Sequence, residues 1–445
     1  MHTIPLTHRY IVRGAFWVMV YLLLALAPLL IMLIGPVPEG RGFWRELSVA
    51  LGFAGLAMMG LQFGITGRFR YITSPFGMDV IYHFHRQVSL VAFALVLAHP
   101  LILFVINPDT IRLLNLIEAP WRARFGVVSV LLLIILVVLS LWRLRLRLNY
   151  EAWRLSHGLL AVGVVMLAML HVIGVGHYID TPWKRVFWIG LTLVWVGLLF
   201  YVRVIKPIVM IRRPYVVDQV IPERGDAHTL VLRPDGHNGF RHKPGQFVWL
   251  TLWNTPFNIT EHPFTISSSS EQSKAIDLTI KNLGDFSSTT GSVKPGQRAY
   301  LDGPYGAFTI DLHPANTYVF IAGGVGITPM MGMLRTMADR GDQRQAILLY
   351  GNPTLEAATF YDEIESLKAK LNLKVVHVLE NPPEDWQGER GFITEEIIRR
   401  HVPGNLAEHE YFICGPNPMM DAVEQALADL GVPIEKYHSE RFNFV

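Results

Sequence analysis

The chain has 445 residues, enough for two or three domains. Apolar residues make up 51% and charged residues only 17%, well under the share of about a quarter usual in a soluble protein, so part of the chain belongs in lipid. The net charge of +3, with no long basic tract, argues against nucleic acid, and the single cysteine, Cys414, excludes an intrachain disulfide and a cysteine-ligated zinc or iron–sulfur site.

Six apolar segments come first: Gly14–Ile34, Leu47–Thr66, Gln87–Ile106, Phe125–Trp142, Leu155–Gly176 and Val186–Val202. Each approaches the roughly 20 residues that a helix needs to cross a bilayer. The first has no small-residue cleavage pattern, so it reads as a span and not a signal peptide. Breaks fall at Gly35-Pro36, Asn107-Pro108 and Thr181-Pro182. Gln62 is the one strongly polar side chain within the second span. Thirteen basic residues fall in loops on one side and seven on the other, which places both termini in the cytoplasm. The expected location is a bacterial inner (cell) membrane, with the lipid bilayer as a partner.

After Pro214 the pattern changes to short alternating runs: Tyr215–Ile221, Thr229–Leu232, Gln246–Leu252, Phe264–Ser267, Ile276–Lys281 and Arg298–Asp302. Glycine and proline turns separate them, which predicts an antiparallel β-barrel. From about residue 314 strands alternate with helices. Tyr318–Ala322, Ala346–Tyr350, Lys374–Leu379 and Tyr411–Cys414 read as buried parallel strands. Met330–Arg340, Phe360–Ala369, Glu395–Arg400 and Pro418–Leu430 read as helices, giving an α/β Rossmann-like sheet. The domains expected are 1–212, membrane all-α with six helices; 213–313, the barrel; and 314–445, the α/β domain.

Four histidines carry the chemistry of the first domain. The third span holds His85 and His99, and the fifth holds His157 and His171, each pair fourteen residues apart. Fourteen residues turn a helix by about 1400°, close to four full turns, so each pair shares one face over a rise of about 21 Å. The third and fifth spans run parallel, so histidine opposes histidine at two depths. Facing imidazoles can supply both axial ligands of a haem iron, which predicts a bis-haem domain with one haem near each membrane face. His83 reads as interfacial and His177, at the membrane boundary, as solvated surface.

Soluble motifs follow. His262-Pro263-Phe264-Thr265, continuing to Ser267, can hold a flavin ring, with Thr265 or Ser267 bonding its polar edge. Lys281, Gly284 and Ser287 form a candidate pyrophosphate cradle. The turn Gly303-Pro304 at the barrel's end joins the candidate cofactor contacts. Gly323, Gly324, Gly326, Thr328 and Pro329 lie between an apolar strand and a helix, where glycine lets a pyrophosphate approach and the helix N-terminus attracts its charge. Cys414, with Gly415 and Pro416, ends the last parallel strand, where a nicotinamide can be met. In the tail, Phe442 is the candidate shield of the flavin face.

With these residues in view, the chain resembles the ferric reductase and NADPH oxidase superfamily over nearly its whole length. The resemblance implies FAD and two haem b groups as cofactors, with NADPH or NADH as electron donor. His85/His99 and His157/His171 match the family's haem ligands. His262 to Thr265 matches its flavin motif, and Lys281 falls where the family usually has arginine. Gly324 to Pro329 and Cys414 to Pro416 match its nicotinamide-site motifs, and Phe442 its terminal aromatic, with Phe444 second. The implied enzyme passes electrons across the membrane to oxygen, as in superoxide-producing oxidases, or to ferric complexes. An electron-supply subunit reducing quinone or a partner protein is the alternative. Gly351-Asn352-Pro353 lacks the basic residue that many NADPH users carry there, which points to a preference for NADH or to none. Leu103 stands where some animal oxidases have another histidine, which weakens a dedicated superoxide generator.

Overall fold

The computed structural model describes residues 6–69, 78–252, 255–257, 260–272 and 274–441. It divides into two compact units, one holding most of residues 9–206 and the other holding most of residues 207–444.

The first unit is built from six long helices: α1 Leu6–Met32, α2 Phe43–Ile65, α3 Met78–Ile106, α4 Trp121–Leu141, α5 Tyr150–Val175 and α6 Pro182–Phe200. The last continues through a π-helical turn, Tyr201–Ile205, into Lys206–Ile211. All six are long and apolar enough to cross a membrane. Helix α3 begins nine residues before the expected Gln87, because His83, His85 and Arg86 lower the hydropathy without breaking the helix. Helix α5 starts where the Asn149 side chain accepts a hydrogen bond from the Ala152 amide at 2.8 Å, and stops at Gly176 in the left-handed region at φ 70°.

Small residues bring these helices together, as expected where lipid provides no hydrophobic drive for association. A Cβ on Gly55 would stand 2.5 Å from Val96, and one on Gly60 only 2.1 Å from Trp195. One on Gly174 would meet Trp121 at 2.5 Å. These contacts align α2 antiparallel to α3, and α4 antiparallel to α5. Lys184, fully buried, donates to the carbonyls of Met32 at 2.6 Å and Pro36 at 2.8 Å, so its charge serves the end of α1.

The second unit contains the barrel and the α/β domain. Six antiparallel strands, β1 Tyr215–Glu223, β2 Ala227–Pro234, β3 Phe247–Leu252, β4 His262–Thr265, β5 Ile276–Lys281 and β6 Arg298–Tyr305, lie in the order β4-β3-β6-β1-β2-β5. A bridge between Ile266 and Leu278 joins the two outer strands and closes the curl. The second sheet is parallel throughout: β7 Thr317–Gly323, β8 Gln345–Asn352, β9 Leu373–Leu379, β10 Glu389–Arg390, β11 Glu410–Cys414 and β12 Tyr437–Ser439, ordered β10-β9-β8-β7-β11-β12. Helices α7 Ile327–Asp339, α8 Tyr361–Leu367, α9 Glu395–His401 and α10 Asn417–Asp429 flank it. The strand order reverses between β7 and β11, which is where an open α/β sheet binds its ligand.

Arg335 of α7 ties the barrel to the α/β domain. It donates to both carboxylate oxygens of Glu363, at 2.7 and 2.6 Å, and to the Ser267 carbonyl at 2.8 Å, and it lies over the Phe360 ring. Arg340 repeats the device with Glu271 and Asp311.

The short strand β12 is held by charge. Buried Glu410 accepts from Lys436 at 2.7 Å and from His438 at 2.8 Å, and His313 stacks on His438 with ring centres 3.6 Å apart. His313, Glu410 and His438 bring donor atoms within 4.8 Å of one another, but the Lys436 ammonium already supplies the cation. Burial, helped by His438, pushes the His313 pKa down to about 4. Burial alone would raise Glu410, but the bonds from His438 and Lys436 outweigh it and hold this carboxyl below its usual 4.5. Both groups bind protons more readily in the unfolded chain, so acid favours opening. The His313 contribution is lost as pH falls from 6.5 towards 4, and the Glu410 contribution below 4.5. Hydrogen exchange of the β12 amides, corrected for intrinsic rates, should therefore accelerate across that range; unchanged protection at pH 4 contradicts this account.

Candidate functional site

In the helical unit, the structure brings the four predicted histidines together as pairs. The ring centres of His85 and His157 lie 6.3 Å apart, and those of His99 and His171 lie 6.4 Å apart. A metal ion about 2.0–2.1 Å from each nitrogen, with roughly an ångström more to each ring centre, separates two opposed imidazoles by about 6.2 Å. Both gaps therefore fit a single metal held from both sides.

The hydrogen bonds at Nδ1 decide which nitrogen faces the gap. His99 Nδ1 lies 3.0 Å from the Ser48 carbonyl, and His171 Nδ1 lies 2.7 Å from the Arg122 carbonyl. Carbonyls only accept, so both Nδ1 atoms carry the proton. His157 Nδ1 lies 3.0 Å from Ser140 Oγ, whose own hydrogen goes to the Leu136 carbonyl at 2.7 Å. His85 Nδ1 lies 2.8 Å from Gln62 Oε1. All four rings are thus Nδ1–H tautomers with an Nε2 lone pair, and no described residue hydrogen-bonds any of these Nε2 atoms. A donated Nδ1–H is the usual partner arrangement of a metal-ligating histidine.

Sequence reasoning missed these supports. Gln62 was visible as an odd polar residue, but its role depends on a neighbouring helix. Ser48, Ser140 and the Arg122 carbonyl carried no signal. Gly126 is part of the same device: a Cβ there would stand 2.8 Å from His171 Nδ1, and one on Gly52 would stand 3.3 Å from His99. His83 is exposed.

Beyond the His99–His171 pair lies a polar cluster. Tyr178 donates to Glu46 at 2.9 Å and accepts from Arg41 at 3.0 Å, and the His177 ring lies 4.8 Å from Tyr178. Four buried polar atoms here have no partner: Arg41 Nε, His177 Nε2, Thr181 Oγ1 and Arg185 Nε. His177 Nε2 is therefore buried, contrary to the solvated placement expected. Buried polar groups are rarely left unpaired, and Arg41 and Arg185 bring two guanidinium groups here beside one carboxylate, Glu46.

In the barrel, two sequence-distant motifs meet through one ring. Phe286, within the Lys281–Ser287 segment, lies 4.1 Å from His262 and 5.8 Å from Phe264 between ring centres. His262, Pro263 and Phe264 are partly exposed on β4, while Thr265 is buried. The Ser267 hydroxyl turns inward and lies 3.0 Å from Thr279 Oγ1, which in turn meets Thr229. Ser287 Oγ accepts from the Leu283 and Gly284 amides, each at 2.9 Å, so those donors are already engaged. Gly303-Pro304 is not a turn after the strand but lies within β6, and a Cβ on Gly303 would stand 2.7 Å from Val248.

At the C-terminal edge of the parallel sheet, the glycines divide into two kinds. Cβ atoms on Gly323, Gly326 and Gly415 would collide with protein: Met419 at 2.5 Å, the Cys414 carbonyl at 2.2 Å and Met419 again at 2.9 Å. These three let the β7 and β11 loops touch. Gly324, at φ 51°, faces open space with only the Lys281 ammonium near, 3.9 Å from its Cβ position. Lys281 thus reaches from the barrel to the loop that opens α7. Thr328 Oγ1 donates to the Val325 carbonyl at 3.0 Å, Pro329 is buried in the first turn of α7, and Pro416 caps α10. Cys414 is buried in the sheet core, and burial, followed by the nearby Glu440 carboxylate, pushes its thiol far up. It therefore carries no thiolate. Phe442 and Phe444 lie outside the described residues.

The fold and this edge define a membrane-embedded, dinucleotide-dependent oxidoreductase. Three family models match in chain order: a ferric reductase like transmembrane component over residues 51–168, an FAD-binding domain over 226–309 and an oxidoreductase NAD-binding domain over 320–425. This is the domain architecture of the ferric reductase and NADPH oxidase superfamily. Among curated relatives, a stachydrine N-demethylase reductase subunit of Rhizobium meliloti is 32% identical over 227 residues, covering 50% of this chain and 64% of its own. A glycine betaine monooxygenase reductase subunit of Chromohalobacter salexigens is 31% identical, covering 50% and 62%. An NADH-cytochrome b5 reductase 1 of Pyricularia oryzae is 32% identical, covering 41% and 62%. The chain thus spans under two thirds of the length of each of these relatives.

The two kinds of glycine should respond differently to alanine. Gly326→Ala forces backbone apart and should cost about 1–3 kcal/mol of stability. Gly324→Ala should cost about 1–2 kcal/mol through its backbone angle alone, yet raise KM for the nicotinamide cofactor by narrowing the open face. Thermal melting and steady-state diaphorase kinetics on the two variants separate the effects; equal KM values for Gly324→Ala and the parent overturn the assignment.

Proposed function

We propose that this protein carries electrons from NAD(P)H on the cytoplasmic side through FAD to two b-type haems and so to an acceptor on the opposite face. The observation that supports this most is the pair of facing histidine sets, each at a one-metal separation with bare Nε2 atoms. Bound in these places, FAD supplies the conversion of a hydride into single electrons and the haems supply carriers at two depths.

The chain's own residues do the positioning. His85 with His157, and His99 with His171, would hold the two haem groups, the two histidine sets lying about 21 Å apart along the helix axis. The unpartnered Arg41 Nε, His177 Nε2, Thr181 Oγ1 and Arg185 Nε would receive the carboxylates of the outer haem. In the soluble unit His262 to Thr265 would hold the flavin ring, with Phe286 closing one side. Lys281 would meet phosphate charge at the junction of barrel and loop, helped by the open face of Gly324 and the N-terminus of α7. Gly415 and Pro416 would bound the nicotinamide site and Cys414 would back it as a neutral thiol. The tail aromatic Phe442 would shield the flavin face until nicotinamide displaces it. The absence of a basic residue beside Pro353 favours NADH over NADPH.

The acceptor is oxygen or a ferric complex. A second reading is an electron-supply subunit that reduces quinone or a partner protein; it is favoured by the names of two relatives, both reductase subunits.

The test is to give NADH, then NADPH, to the purified FAD-loaded protein in air while following the haem bands and cytochrome c reduction, with and without superoxide dismutase. Haem reduction with a dismutase-sensitive signal identifies oxygen as acceptor. Haem reduction with an insensitive signal directs the search to ferric complexes and quinones. Absence of haem bands sinks the proposal. As a further expectation, His157→Ala should leave about half the haem per protein, the bis-histidine sets being independent; loss of all haem, or of none, contradicts that independence.

A further inference from the structure

The four imidazoles are not supported in the same way. His99 and His171 lean on backbone carbonyls and His157 on a serine, all from helices α2 and α4. His85 leans on a side-chain amide that is itself held by a third helix. Gln62 is buried at 8% exposure, and its Nε2 donates to Tyr21 Oη at 3.1 Å and to the Met58 carbonyl at 2.9 Å. Tyr21, on α1, is equally buried, and its ring packs edge-on to Phe84 at 5.2 Å between centres.

This geometry removes the ambiguity of the amide. A glutamine has two N–H donors and one oxygen. With both donors directed at Tyr21 and Met58, the oxygen must face His85. Were the amide flipped, it would offer a hydrogen to Nδ1, forcing the ring proton onto Nε2 and removing the lone pair a metal needs. Ser89 Oγ is the other polar atom near this nitrogen, at a weak 3.4 Å.

We infer that Gln62, anchored by Tyr21, is a positioning residue that fixes the tautomer and basicity of His85 and thereby sets the reduction potential of the inner iron. The inference rests on the bis-histidine reading above. A ligand that donates its Nδ1–H to a strong acceptor is more basic and favours the ferric state. The first span, which bears no ligand, thus acts on the inner site through one hydroxyl. Tyr21 lies before residue 51, where the match to the transmembrane family model begins.

The experiment is redox titration and low-temperature electron paramagnetic resonance of the full-length, haem-loaded protein as parent, Gln62→Leu, Gln62→Glu and Tyr21→Phe. Gln62→Leu should raise the midpoint of one haem only, by about tenfold in its ferric–ferrous equilibrium, or ~59 mV for one electron. Gln62→Glu, a stronger acceptor, should move the same haem the other way. Tyr21→Phe should shift that haem's resonance and midpoint in the Gln62→Leu direction, by less, and it remains testable if Gln62→Leu does not assemble. Two haems with unchanged midpoints and resonances in Gln62→Glu and Tyr21→Phe overturn the inference while leaving the bis-haem reading intact. A parent protein without haem overturns both.

Discussion

An imidazole inside a lipid-facing bundle must hand its ring proton to something, and this constraint organises the helical unit. Water is scarce there, and an unpaired N–H costs several kcal/mol. Each of the four rings solves the problem with an acceptor on the adjacent helix. The two histidine-bearing helices, α3 and α5, are therefore insufficient alone. Helix α2 serves both rings of α3, through Ser48 and Gln62, and α4 serves both rings of α5, through Arg122 and Ser140. The bundle reads as two such hairpins, α2–α3 and α4–α5, brought face to face. Small residues permit the approach: Gly52 and Gly126 stand where a methyl group would press on a histidine ring.

The soluble unit meets a different constraint, that of bringing two loops to one charged place. Its barrel and its parallel sheet are joined by Arg335, which satisfies a barrel carbonyl and an α8 carboxylate together. The joint holds the Lys281 side chain beside the loop at the end of β7. Three glycines at this edge exist for contact between loops, and a fourth is left facing outward. A glycine-rich motif thus mixes residues that pack with residues that can receive a ligand, and the string alone does not separate them.

Much was legible in advance because the signals were long. Six apolar runs and two fourteen-residue histidine spacings specify helices, faces and direction with few alternatives. The alternating runs of the barrel and the buried strands β7, β8, β9 and β11 were equally plain. What escaped was set by partners distant in the chain. Strands β10 and β12 have two and three residues, too few for a pattern, and exist because a neighbour offers its edge. Gly303 read as a turn residue, yet it lies within β6 against Val248, and the bond from the Ser267 hydroxyl to Thr279 depends on a neighbouring strand. Gln62 was seen but not understood, since its meaning lies in His85 and Tyr21.

The four buried, unpartnered polar atoms beyond the His99–His171 pair carry a consequence for assembly. On the proposed reading, a prosthetic group that pairs with Arg41 Nε, His177 Nε2, Thr181 Oγ1 and Arg185 Nε would relieve part of the cost of burying them. Filling the site and closing that end of the bundle are then one linked equilibrium. The prosthetic group would then add to the stability of that end of the bundle in step with its free concentration and its affinity.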